Sequence, residues 1–164
     1  MHAKARFLGH SVHQMLVVFP LGLLATAVVF DLIYLAGRSQ VMAAVSYWMI
    51  AAGLVGGLLA APFGTIDWLS IPAGTRAKRI GAIHGAGNVL VMLLFALSFF
   101  LRDTAYAPEP RQMVWAFLGA AIALVTAWLG GELVDRLAVG VDDDAGLNAS
   151  SSLSKHRHVA AGKQ

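Results

Sequence analysis

The sequence predicts an all-α fold: an integral membrane four-helix antiparallel bundle with both termini on the cytoplasmic side (N-in/C-in). Two observations carry the fold. The 164 residues are 58% hydrophobic and only 13% charged, with a mean hydropathy of +0.70. Soluble domains run nearer about 45–50% apolar and about 25% charged, and one core of this size could not bury the excess. The apolar residues also fall in blocks of about 20, the length that crosses a hydrocarbon layer of roughly 30 Å.

The elements follow in order. Residues 1–14 are polar and basic, with Lys4, Arg6, His10, His13 and Gln14. The first span covers about 15–36. It is too long for a signal peptide and reads as a retained helix. Gly37-Arg38-Ser39-Gln40 is a tight connection to a second span at about 41–61, followed by Pro62 and Gly64-Thr65-Ile66-Asp67-Trp68. A polar loop from Pro72 to Arg79 leads to the third span, about 80–101. Pro108 and Pro110 block helix continuation in the next loop. The fourth span covers about 113–133. These spans form one domain, residues 1–141. Residues 142–164 read as a disordered polar tail, with its Asp142-Asp143-Asp144 run and Ser-rich stretch. His156 and His158 in that tail form at most a weak metal pair.

Nine of the 12 Lys and Arg lie in the N-terminal segment, the second loop and the C-terminal segment, and three (Arg38, Arg102, Arg111) lie on the other side. That bias sets the N-in/C-in orientation. It also explains the net charge of +3 without nucleic acid, since no basic stripe is interleaved with aromatics. With no cysteine, disulfides, thiolate metal sites, Cys nucleophiles and Cys-ligated clusters are excluded. No nucleophile elbow, phosphate loop or dinucleotide fingerprint is present; Gly85-Ala86-Gly87 follows no strand. Nothing repeats at a period of 20–50 residues.

Ionisable residues in a span are costly and face the bundle interior. Here they gather at one depth. His10 and His13 start the first helix, Asp67 ends the second, His84 and Asn88 start the third, and Glu132 and Asp135 end the fourth. His10, His13, Val17, Pro20, Leu24, Ala27 and Asp31 follow steps of three and four, one seam of a helix. Asp31 lies 18 residues beyond His13, roughly 27 Å away at the helical rise, where Arg38 or Arg102 could pair with it. Pro20 removes a backbone hydrogen bond just above His13 and can kink the helix.

Neutral imidazole ligates haem iron and transition metals. His13 and His84 on two helices could hold a haem between them, with His10 a third or alternate ligand. Alternatively His10, His13, His84, Glu132 and Asp67 could bind a transition metal ion, with Asn88 and Asp135 orienting the ligands. A proton relay of His, Asp and Glu is a third use of the same groups.

Gly9-His10-Ser11-Val12-His13-Gln14-Met15-Leu16-Val17-Val18-Phe19-Pro20-Leu21-Gly22 resembles the opening of the bacterial DUF2231 family. Gly64-Thr65-Ile66-Asp67-Trp68, His84, Asn88 and Trp128-Leu129-Gly130-Gly131-Glu132-Leu133-Val134 resemble its later landmarks. The resemblance spans about residues 7–141 and implies a four-helix protein of the bacterial inner membrane. Some members are joined to Rieske-type iron–sulfur domains, which implies electron transfer and favours haem. Any such redox partner here is a separate protein. The expected function is an electron carrier rather than a catalyst, holding b-type haem or a metal at the cytoplasmic end of the bundle. The alternative is a non-enzymatic assembly or small transport component in which the polar cluster is structural.

Overall fold

A computed structural model describes residues 1–102 and 105–154. His156 and His158 lie outside the described residues. Among the described residues four helices are long and apolar enough to cross a membrane: Val12–Gly37, Gln40–Ser70, Arg76–Leu101 and Pro110–Arg136. The chain is thus an all-α four-helix membrane bundle.

A two-stranded antiparallel hairpin, β1 (Arg6–Phe7) and β2 (His10–Ser11), precedes the bundle. Its two-residue turn puts Leu8 and Gly9 at φ 49° and 89°, the left-handed pair that suits a tight hairpin. The first span breaks into α1 (Val12–Leu16) and α2 (Val18–Gly37). Pro20 has no N–H to offer the Leu16 carbonyl, and the break falls there. Arg38 ends α2 at φ 52°, its N–H bonded to the Tyr34 carbonyl.

Helix α3 runs from Gln40 to Ser70, 31 residues, or roughly 46 Å at the helical rise. The span expected to stop near residue 61 therefore continues through Pro62. Proline removes a single intrahelical bond, Pro62 points outward, and Thr65 Oγ1 donates to the Ala61 carbonyl next to it. The extra length carries Asp67 past the apolar layer to the N-terminal segment. Helix α4 (Arg76–Leu101) is capped by Thr75, whose Oγ1 accepts from the Lys78 N–H at 3.1 Å. Helix α5 (Pro110–Gly131) opens three residues earlier than expected. Pro110 at its first turn needs no donor, and Glu109 and Gln112 cap each other's backbone. A π-helix, Glu132–Arg136, closes the bundle. Residues 142–154 lie in turns and bends against the N-terminal hairpin, where Asp142 bonds His2 at 2.7 Å and Arg6 at 2.8 Å.

The helices pack most closely as two hairpins, α2 on α3 and α4 on α5. Leu24, Ala27, Ile50, Val91, Phe95 and Ala116 make the shared core, with Tyr34, Ala43 and Met113 a second cluster. Many large apolar side chains, Leu58, Phe100, Leu124 and Trp128 among them, face outward, as a lipid-facing surface requires.

Candidate functional site

Each hairpin holds one half-buried histidine in the same way. His13, on α1, places Nδ1 3.1 Å from the Ala60 carbonyl of α3. Its ring lies on Gly64, where an added Cβ would stand 2.8 Å from Cε1 and Nδ1. His84, on α4, places Nδ1 2.9 Å from the Thr126 carbonyl of α5. Its ring lies on Gly130, where an added Cβ would stand 3.1 Å from Cε1. A carbonyl only accepts, so Nδ1 is the protonated nitrogen in both rings, and in the neutral ring Nε2 keeps its lone pair.

The rings differ at Nε2. Asn88 Nδ2 stands 3.1 Å from His84 Nε2 and donates to it, and also donates to the His84 carbonyl at 3.0 Å. Asn88 Oδ1 accepts from Thr126 Oγ1 at 3.1 Å. For His13 Nε2 the structure gives no such cap among the described residues.

The other expected site residues are placed elsewhere. His10 was expected one helical turn from His13, but α1 begins only at Val12 and Ser11 is extended. His10 therefore sits on β2, exposed, with Nε2 3.3 Å from Ser152 Oγ. Asp67 holds the N-terminal segment: it accepts from the Lys4 and Ala5 N–H groups at 2.7 and 3.0 Å and faces Ser11 Oγ. Glu132 pairs with Arg76 at 2.6 Å. Asp135 is exposed on the π-helix. Among the described residues no three His, Asp or Glu side chains converge as a metal site. The five-residue metal set of His10, His13, His84, Glu132 and Asp67 is thus not assembled, because both carboxylates are drawn to backbone N–H groups and to arginine. His84 and Asn88 remain bonded to each other, and His13 is held on the other hairpin by the same kind of carbonyl contact.

A second polar layer occupies the opposite end of the bundle. Asp31 and Arg102, both with fully buried side chains, form a two-pronged pair at 3.0 and 2.6 Å. Ser46 Oγ and Ser98 Oγ each lie 3.3 Å from the guanidinium, and Ser98 donates to the Gln112 carbonyl at 2.7 Å. Arg102 Nε has no partner among the described residues. Arg102, not Arg38, is the partner of Asp31; Arg38 lies over the Tyr34 ring, 5.7 Å from its centroid. Sequence reasoning passed over Thr126, Ser46, Ser98 and Gln112, since small polar residues inside an apolar block carry no signal of their own.

No curated protein and no solved structure matches the chain. The family model described as a predicted membrane protein (DUF2231) matches residues 9–143, which takes in His10, His13, Asp67, His84, Asn88, Glu132 and all four long helices. The chain belongs to the DUF2231 family of predicted membrane proteins.

Proposed function

We propose that His13 and His84 hold a b-type haem and that the protein carries electrons within the membrane. The observation behind this reading is the matched pair of imidazoles. Each has Nδ1–H fixed on a backbone carbonyl of the neighbouring helix, which leaves Nε2 as the ligating nitrogen. Two such nitrogens are donors that would hold haem iron. Gly64 and Gly130 leave room for the rings where any larger residue would displace them. A haem held there supplies a one-electron couple. The chain's own part is to present two imidazoles oriented by their Nδ1–H bonds and to release His84 Nε2 from Asn88. A haem held by both histidines would serve electron transfer rather than catalysis.

The second reading, a structural cluster in an assembly or transport component, is favoured by the Asn88 cap itself, which satisfies His84 without a ligand. Purification from membranes followed by oxidised and reduced absorption spectra separates the two. A Soret band lost in His13→Ala and in His84→Ala supports the haem. A colourless, metal-free preparation, even after haem supplementation, supports the structural reading.

We also place the protein in the bacterial inner membrane with the histidine end cytoplasmic, next to a separate redox partner. The excess of Lys and Arg at that end supports the orientation. Reporter fusions at the two termini check this; a periplasmic C-terminus would reverse it.

A further inference from the structure

The way the two histidines are held extends along the whole bundle. His13 and His84, Leu24 and Phe95, and Asp31 and Arg102 are each 71 residues apart (13 to 84, 24 to 95, 31 to 102). On the partner helices, Gly53 and Gly119, Ala60 and Thr126, and Gly64 and Gly130 are each 66 apart (53 to 119, 60 to 126, 64 to 130). The contacts repeat with these offsets. His13 bonds the Ala60 carbonyl and lies on Gly64; His84 bonds the Thr126 carbonyl and lies on Gly130. Leu24 fills the space over Gly53; Phe95 fills the space over Gly119.

Burial repeats as well. Pro20, Leu24, Ala27 and Asp31 are buried in α2, and their counterparts Val91, Phe95, Ser98 and Arg102 are buried. From Trp48 to Gly64 every residue is as buried, half-buried or exposed as the residue 66 positions later. The repeated hairpins run in the same direction, so the operation relating them is a rotation about an axis along the helices. Both cross-hairpin packings such a rotation interconverts, α3 on α4 and α2 on α5, are present. Asp31 touches its own counterpart Arg102, as residues beside a two-fold axis do. The chain start closes the figure: the Met1 carbonyl accepts from the Gly140 N–H at 2.9 Å, so the end of the second hairpin returns to the start of the first.

We propose that the bundle is two copies of one helical hairpin, Val12–Ser70 and Ile83–Arg136, related by a two-fold axis along the membrane normal, and that Asp31–Arg102 is the pin across that axis which sets their register. The two-fold and its pin hold with or without a cofactor between His13 and His84. The pin is a positioning element: at the far end of the same axis it fixes how the two hairpins present their histidines to each other.

The cysteine-free chain makes the test direct. Spin labels are placed on the exposed positions Val18, Leu58, Val89 and Leu124, in pairs, in the full-length protein in lipid. The cross-hairpin pair Val18–Leu124 maps onto Val89–Leu58, so the two distance distributions are expected to coincide; two resolved, different distances would overturn the two-fold. Asp31→Asn is expected to broaden both cross-hairpin distributions and leave the within-hairpin pair Val18–Leu58 unchanged; equal broadening of all three overturns the pin. Reciprocal exchange gives a second check. Asp31→Arg and Arg102→Asp alone are expected to abolish monodisperse protein, and the double exchange to restore it. A double exchange no better than either single change contradicts the equivalence of the two positions.

Discussion

The two ends of the bundle solve the same problem in opposite ways. At one end the Asp31 and Arg102 side chains are fully buried and neutralise each other across two bonds. At the other, His13 and His84 are half-buried, and each rests its Nδ1–H on a backbone carbonyl of the neighbouring helix. A paired charge in an apolar interior is a lock, because separating the partners strands an ion where nothing solvates it. An imidazole with one nitrogen fixed on a carbonyl is oriented without being locked by a counter-charge. The difference assigns holding to the first end and leaves the second as the place of the proposed cofactor site.

The largest effect expected from breaking this division is at the lock. Asp31→Ala or Arg102→Ala leaves the partner charged and unpaired, at a cost of about 3–5 kcal/mol, read as thermal unfolding of the purified protein in micelles. The same truncations at the histidine end are milder. Asn88→Ala removes neutral hydrogen bonds and is expected to cost about 1 kcal/mol in the same assay. It also uncovers His84 Nε2, so haem affinity should rise as stability falls; a fall in both would return the cap to a purely structural role.

Glycine substitutions grade the two rings against each other. An added methyl at Gly64 meets the His13 ring at 2.8 Å, and one at Gly130 meets the His84 ring at 3.1 Å. Gly64→Ala should therefore be the more damaging, by about 1–3 kcal/mol as an overpacking change, with Gly130→Ala the lesser. Thermal midpoints of the pair check the order.

The smallest effect lies outside the membrane, where residues 142–154 meet the N-terminal hairpin. The hydrogen bond from His2, aided by Arg6, holds the Asp142 carboxyl below its ordinary value of 3.8. A depressed carboxyl contributes above its ordinary value and loses that contribution as pH falls through the depressed one. Limited proteolysis of this segment should therefore be unchanged from neutral pH down to about pH 4 and accelerate below it. Asp142→Asn should be cleaved faster at neutral pH and lose the acid dependence.

Much of this was legible in the sequence. Four apolar blocks specify four spanning helices, because length and hydropathy are what the bilayer selects. The histidine layer was legible because polar groups at that depth are costly enough to need a reason. Pairings were less so. Asp67 and Glu132 share the depth of the histidines, yet Asp67 binds backbone N–H groups of an extended segment and Glu132 binds Arg76. Depth along a helix does not say which partner a carboxylate turns to. His10 fell out of the site because a hairpin turn at Leu8-Gly9 delays the helix. The repeat was hidden because its equivalences are of packing rather than identity: Leu24 matches Phe95, Ala27 matches Ser98, and Asp31 matches a residue of opposite charge.

The most direct measurement of the central claim is titration of haem into the cofactor-free protein in micelles, followed by absorption in both redox states. The expected result is saturation at one haem per chain, with the spectrum of two histidine ligands, and no saturable binding by His13→Ala or His84→Ala under the same conditions. Equal binding by wild type and both variants, or none by wild type, would contradict it.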